Sequence, residues 1–190
     1  MVAFVRSKVD RSGLRGKSLP VLGSVPEFTL TNQTGQVVSL ETLRGQVWLA
    51  DIIFTICPGP CARMSRLMSE FQTALPLESP VKLVSLTTYP EHDTSEVLDR
   101  YGRSFNANPA RWMFLTGPKR EIHELAVGGL KLALQEKKPE ERESDQDLFV
   151  HSTVMALVDK RGQLRGAFES LEPNSKQKIL SAIMALLRED

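Results

Sequence analysis

The stretch Val47-Trp-Leu-Ala-Asp-Ile-Ile-Phe-Thr-Ile-Cys-Pro-Gly-Pro-Cys61 joins an apolar run to the two cysteines of the chain. Residues 47–54 predict a buried strand, because nearly every position in them is apolar. After Cys61, apolar side chains recur at helical spacing and predict an amphipathic helix over 62–75, which Pro76 ends. Two thiols on a loop between a core strand and a helix suit redox chemistry or the binding of a soft metal.

The composition is that of one ordinary globular domain. Of 190 residues, 41% are hydrophobic and 25% charged, which is enough for a single core. A formal net charge of +1 gives no electrostatic reason to expect nucleic acid as a partner. No stretch of about 18 apolar residues is present to span a bilayer, and the first residues lack the apolar segment of a signal peptide. We therefore expect either a cytosolic protein or one whose targeting or anchoring segment is missing from this chain.

Strand and helix signals alternate along the rest of the sequence. The turn Thr34-Gly35 predicts an N-terminal hairpin, and Asp93, with Glu96 three residues on, predicts a helix cap. Further segments have the pattern of a strand or a helix: strands at 81–87, 111–115, 153–158 and 163–168, and helices at 118–127 and around 179–187. This order predicts an α/β fold with a central mixed sheet flanked by helices, compatible with a thioredoxin-like arrangement. We expect one such domain over 23–190, after a loose N-terminal lead over 1–22.

The prolines of the loop indicate how the two cysteines are placed. Pro58 keeps Cys57 out of the helical region, and Pro60 suits the first helical position. Cys61 should then lie in the first helical turn, where N–H groups and the helix dipole favour a thiolate and lower its pKa from about 8.5. A pair of inert buried thiols or a structural disulfide is the alternative.

The cysteine loop resembles the C-x-x-x-C loop of the Sco/SenC proteins, thioredoxin-fold copper chaperones of cytochrome c oxidase assembly. The resemblance covers roughly residues 20–170. It also includes the stretches Val25-Pro-Glu-Phe-Thr-Leu30, Leu43-Arg-Gly45, Val84-Ser-Leu-Thr87, Pro90-Glu-His-Asp-Thr94, Trp112-Met-Phe-Leu-Thr-Gly117, Val150-His-Ser-Thr153 and Leu157-Val-Asp-Lys-Arg-Gly162.

The resemblance implies a copper site formed by Cys57, Cys61 and His151. Thiolates select Cu(I), imidazole suits copper in either oxidation state, and three ligands leave a position for the ligand of a receiving protein. The implied partner is the copper-receiving subunit of cytochrome c oxidase, with a thiol-disulfide reductase or another copper carrier as further candidates. The family also implies a location on the periplasmic side, commonly with a membrane tether.

Two other activities use the same cysteines. Cys57 and Cys61 could be the redox pair of a thiol-disulfide oxidoreductase, although such enzymes of this fold usually carry a proline where this chain has Val150-His151-Ser152. A thiol peroxidase is disfavoured, because peroxiredoxins place a threonine three residues before the reactive cysteine and Thr55 lies two before Cys57. The chain departs from the common family pattern in Tyr89-Pro90, where many members have Asp-Pro, and in Ala62 after the second cysteine.

Other candidate ligands have simpler explanations. Met64 and Met68 have the spacing of a copper-binding thioether pair, but they also fit the core face of a helix, which we favour. His92 and His123 fit a surface loop and a helix face. The charged stretch 136–147 has no apolar period, so it predicts a solvated loop.

Overall fold

The computed structural model describes residues 18–76, 78–142, 144, 148–150 and 152–189. The strands in these residues are β1 (Gly23–Ser24), β2 (Thr29–Asn32), β3 (Val37–Ser39), β4 (Val47–Ile53), β5 (Val81–Thr87), β6 (Trp112–Thr116), β7 (Gln135–Glu136), β8 (Phe149–Val150), β9 (Val154–Val158) and β10 (Gln163–Glu169). The helices are α1 (Leu40–Leu43), α2 (Cys61–Ala74), α3 (Ser95–Ser104), α4 (Lys119–His123) and α5 (Ser175–Leu187). A π-helical turn, Glu124–Gly129, continues α4, and Pro139–Glu141 forms a 3-10 turn.

Eight of the strands form one mixed sheet, in the order β1-β10-β9-β4-β5-β6-β2-β3. Strand β4 is central: it pairs in parallel with β5 and antiparallel with β9. All seven residues of β4 are buried, as the apolar run predicts. Strands β7 and β8 form a separate two-stranded sheet. The α/β fold with a mixed sheet and flanking helices is therefore confirmed.

Alternate side chains of β4 supply two hydrophobic cores, one on each face of the sheet. On one face, Leu49 and Ile53 belong to a core that includes buried residues of α2, α3 and α5. On the other, Trp48, Ala50 and Ile52 belong to a core with α1, α4 and the turn after α4. Helix α2 contributes Met64, Met68 and Phe71 to the first core, so the alternation along β4 places that helix over one face of the sheet.

The N-terminal hairpin is confirmed, with Leu30 of β2 opposite Val38 of β3. Gly35 takes the positive φ of 79° that the turn requires. The expected cap of α3 is wrong by one residue. Thr94 is the N-cap, and its hydroxyl accepts the N–H of Val97 at 3.4 Å, whereas Asp93 is fully buried.

Part of the predicted N-terminal lead runs along the sheet. Residues 1–17 lie outside the described residues, but the N–H of Leu22 donates to the carbonyl of Leu164 at 2.8 Å. The Arg165 guanidinium donates to the carbonyl of Leu19 at 2.5 Å and pairs with Asp159 at 2.8 Å and Glu189 at 2.7 Å. These contacts tie residues 18–22 to β10 and to the end of α5. No described helix has the length and apolar character needed to cross a membrane.

Asp51 interrupts the otherwise apolar strand β4. It shares a face of the strand with Leu49 and Ile53, is fully buried, and lies opposite Ser85 of β5. Within the described residues, neither of its carboxylate oxygens has a partner of hydrogen-bonding geometry. Burial raises the pKa of Asp51 to about 7, and the nearby Ser85 hydroxyl offsets only part of that effect.

Replacement of Met68 tests whether its side chain serves core packing or metal binding. Met68 is fully buried, so Met68→Ala should lower the free energy of unfolding by about 2–5 kcal/mol. Met184→Ala on α5, where the side chain is 42% exposed, should change it by less than about 0.5 kcal/mol. Denaturant unfolding measures both changes. A copper stoichiometry that falls in the Met68 variant while it remains folded would contradict the packing role.

The buried carboxyl of Asp51 should make stability fall as pH rises. Between about pH 4 and 7 the native state keeps a proton that the unfolded chain has lost, so unfolding becomes easier by an amount on the order of 4 kcal/mol. Asp51→Asn should remove this fall, since the amide does not titrate. Urea unfolding of the reduced, metal-free protein at pH 5 and pH 8 tests this. The half-exposed Asp99→Asn is the control, and a fall that persists in Asp51→Asn would contradict the assignment.

Candidate metal centre

The cysteine loop, residues 54–60, leaves the carboxyl end of β4 and leads into α2. Pro60 caps the helix with its main chain, at φ −75° and ψ −18°, and its carbonyl accepts the N–H groups of Arg63 at 2.9 Å and Met64 at 3.0 Å. Cys61 is therefore the first residue of the helix, in agreement with the position that the prolines predict. It is 1% exposed, whereas Cys57 on the loop is only partly buried.

The two cysteine side chains are neighbours. They are thiols, not a disulfide, and the Cys57 thiol is near enough to Cys61 to be the main cause of its raised pKa. The N–H of Gly59 also donates to the sulfur of Cys57 at 3.4 Å. Two sulfurs in this arrangement can bind one soft metal ion together, or form a disulfide, after a small displacement of the loop.

The expected thiolate at the helix N-terminus is wrong for Cys61. The hydrogen bond with Cys57 raises the pKa of the Cys61 thiol well above its usual value, and burial raises it further. A hydrogen bond with the main chain of Phe54 offsets part of this, while the negative charge of Asp51 adds to it. Desolvation and the neighbouring sulfur thus favour the thiol, so the Cys61 sulfur has to lose a tightly held proton before it binds a metal.

His151, the third predicted ligand, lies outside the described residues, but the chain on either side of it is well anchored. Phe149 is buried, with its ring centroid 5.2 Å from that of Phe54 and 6.1 Å from that of Tyr89. On the other side, the carbonyl of Thr153 accepts the N–H of Ser170 at 2.9 Å. Phe54 begins the cysteine loop, so the segment before β9 packs directly against that loop.

Asp93 lies beside the cysteine loop and is not the helix cap that its sequence position predicts. Its carboxylate accepts hydrogen bonds from three neighbours, namely Thr55 (N–H at 3.1 Å and hydroxyl at 2.5 Å), the Thr87 hydroxyl at 2.6 Å and His92 Nδ1 at 2.8 Å. In the pair Asp93-Thr94 either residue could cap a helix, and the local pattern does not distinguish them. Asp51 was missed as well, although a single carboxylate within an apolar strand is a visible signal.

The remaining candidate ligands lie as simple packing or surface residues would. Met64 and Met68 are 1% and 0% exposed within the core. His123 is exposed on α4, and His92 has a side chain 39% exposed. In the described part of the chain, no three His, Cys, Asp or Glu side chains are grouped to hold a metal ion. A third His, Cys, Asp or Glu ligand beside the two sulfurs, such as the predicted His151, would therefore come from outside the described residues or from a partner.

Comparison with known proteins relates the chain to one family over nearly its whole length. The SCO1/SenC family model matches residues 21–188. The SCO1 protein homolog of Bacillus subtilis is 34% identical over 166 residues, which cover 86% of this chain and 83% of that protein.

Solved structures share the fold. The structure of BsSco, a member of the Sco family of cytochrome c oxidase assembly proteins in which a disulfide switch was identified, has a TM-score of 0.73 at 29% identity, over 92% of this chain and all (100%) of that one. Copper-bound ScoI of Bradyrhizobium japonicum has a TM-score of 0.69 at 21% identity, over 85% of this chain and 97% of that one. The expected thioredoxin-like arrangement of Sco proteins is thereby confirmed. With this fold, with two free thiols between a core strand and a helix, and with these matches in sequence, the chain belongs to the SCO1/SenC family.

Proposed function

We propose that this protein is a copper-binding metallochaperone that holds copper through Cys57, Cys61 and His151 and delivers it to the binuclear copper site of cytochrome c oxidase. The observation that carries the proposal is the pair of neighbouring free thiols, Cys57 on the loop and Cys61 at the start of α2, in a SCO1/SenC-family chain. Copper bound to ScoI of Bradyrhizobium japonicum and the oxidase-assembly role of the Sco family support it.

The donor set suits a metal that has to be held and then released. Thiolate sulfurs are soft ligands that select Cu(I), and imidazole binds copper in either oxidation state. Two thiolates and one imidazole give three-coordinate copper, which leaves a position for the ligand of a receiving protein to attack. A structural zinc site with four protein ligands has no such open position.

The protein contributes position and proton release. Helix α2 carries Cys61, the loop carries Cys57, and the packing of Phe149 on Phe54 supports the placement of His151 near both. Each thiol gives up its proton when its sulfur binds the metal, so copper binding weakens as pH falls. The raised pKa of Cys61 extends that dependence to higher pH.

Thiol-disulfide chemistry at the same sulfurs is the second candidate function. The position of the two free thiols favours it, because cysteines four residues apart at a helix start can reach the geometry of a disulfide. The disulfide switch identified in BsSco supports it too. Copper and a disulfide compete for the same sulfurs, so one molecule cannot hold both at once. One protein could still serve both roles at different stages. A thiol-disulfide reductase or another copper carrier would then be a further partner.

The location on the periplasmic side that the family implies stays a prediction.

The variant His151→Ala separates the two functions. It should reduce Cu(I) affinity severely, because the third ligand is lost, and leave the reduction potential of the cysteine pair nearly unchanged. Competition with a Cu(I) chelator measures the affinity, and X-ray absorption on the loaded protein should count two sulfurs and one imidazole nitrogen.

His123→Ala is the matched control, since this exposed imidazole on α4 carries no proposed role. It should bind Cu(I) as the unmodified protein does. Equal affinity in the His151 and His123 variants, or a sulfur count other than two, would remove the proposed copper site.

A further inference from the structure

We propose that Asp93 is the positioning residue of the metal centre: through Thr55 it holds Cys57 at the separation from Cys61 that copper binding and disulfide formation require. The inference rests on the proposed function and assigns a role to a residue outside the ligand set. Asp93 touches neither sulfur, so its effect passes through the main chain of the cysteine loop.

The Asp93 carboxylate is fully occupied by donors. Oδ1 accepts from the Thr55 hydroxyl at 2.5 Å and from His92 Nδ1 at 2.8 Å. Oδ2 accepts from the Thr87 hydroxyl at 2.6 Å and from the Thr55 N–H at 3.1 Å. A carboxylate offers about four lone-pair sites, and here four donors fill them in a wholly buried place. Hydrogen bonds to a carboxylate are about twice as strong as those between neutral groups.

Asp93 is itself held by the end of β5. Its N–H donates to the carbonyl of Tyr89 at 2.8 Å, and the N–H of Tyr89 donates to the Thr87 hydroxyl at 2.9 Å. The N–H of Thr88 donates in turn to the carbonyl of Ile53, the last residue of β4, at 2.8 Å. The carboxylate therefore transmits the rigidity of the central sheet to a loop that lies outside it.

The contact between Asp93 and Thr55 lies close enough to Cys57 to fix its position. Thr55 is two residues before Cys57, at most about 7 Å along an extended chain, and the N–H of Cys57 donates to the carbonyl of Phe54 at 3.2 Å. Helix α2 fixes Cys61 on the other side. Only the exposed tip, Pro58 and Gly59, lies between the two anchored parts. Movement of the loop on metal binding or oxidation is thereby confined to the tip.

A held pair of sulfurs binds copper and forms a disulfide more readily than a mobile pair, because less motion is lost in either step. Loss of the contact should therefore weaken both properties together. Neither effect depends on a change in the ligands themselves, which distinguishes positioning from ligation.

Two substitutions of Thr55 test the inference. Thr55→Val keeps the shape of the side chain and removes its hydroxyl donor, whereas Thr55→Ser keeps the donor. In a buffer of oxidised and reduced small dithiol, the oxidised reagent takes two electrons and two protons from Cys57 and Cys61 and leaves a disulfide. For Thr55→Val we expect the equilibrium constant of this exchange to fall about tenfold, a potential about 30 mV less negative. Release of Cu(I) to a chelator should be about tenfold faster.

Thr55→Ser should retain the values of the unmodified protein, and Asp93→Asn should shift both in the direction of Thr55→Val. The control is Asn32→Ala. The buried Asn32 side chain accepts three hydrogen bonds in the β2–β3 hairpin, from the Thr34 N–H at 2.9 Å, the Thr34 hydroxyl at 2.8 Å and the Gln36 N–H at 2.9 Å. Strand β2 lies three strands from β4, so this variant should lose stability without a change in potential or release rate.

The outcomes separate this inference from the proposed function. The potential is measured without copper, so a shift in Thr55→Val supports the positioning role even where the unmodified protein fails to bind Cu(I). Normal Cu(I) binding with an unchanged potential and release rate in Thr55→Val would overturn the positioning role and leave the proposed function intact. Equal shifts in Thr55→Val and Asn32→Ala would also overturn it, since general loosening would then be the cause.

Discussion

The pairing of β4 with a neighbour on each side is the constraint on which the candidate centre depends. Strand β5 runs parallel to β4, so the loops that follow both strands leave at the same end of the sheet. Strand β9 runs antiparallel to β4, so the segment that precedes β9 arrives at that end as well. Strand direction therefore brings three segments to one end of the sheet: the cysteine loop, the residues after β5 that include Asp93, and the segment around Phe149.

Two buried aspartates near this end of the sheet have opposite environments. Asp93 is surrounded by four hydrogen-bond donors. Within the described residues, no donor lies in good hydrogen-bonding geometry to either Asp51 oxygen, and burial favours its neutral form in spite of the nearby Ser85 hydroxyl. A charge on Asp51 would oppose a thiolate at Cys61, since it already raises the pKa of that thiol. The centre thus combines two buried aspartates: Asp93 positions the cysteine loop, and Asp51 affects the pKa of the Cys61 thiol.

The strands and helices could be predicted largely from the spacing of apolar residues and from the glycines and prolines that end each element, because the apolar positions are the ones that become buried. The run at β4, the turn at Gly35 and the prolines before Cys61 are local signals, and the structure agrees with each. The role of Asp93 is different, since its donors at Thr55 and Thr87 approach it only in the folded sheet. The pKa of Cys61 likewise depends on a neighbour and on burial that no local pattern contains. The assignment of His151 rests on family resemblance, because 151 is remote in sequence from both cysteines.

The two sulfurs differ in solvent exposure, so a reagent from solution can reach them only from one side. Cys57 is partly open to solvent, whereas Cys61 is 1% exposed at the start of α2. If the two sulfurs form a disulfide, an attacking thiolate reaches the more exposed Cys57 sulfur first and expels the Cys61 sulfur as the leaving thiolate. In the proposed thiol-disulfide exchange the mixed disulfide would therefore form on the loop side, and the helix-borne sulfur would be the first to be released.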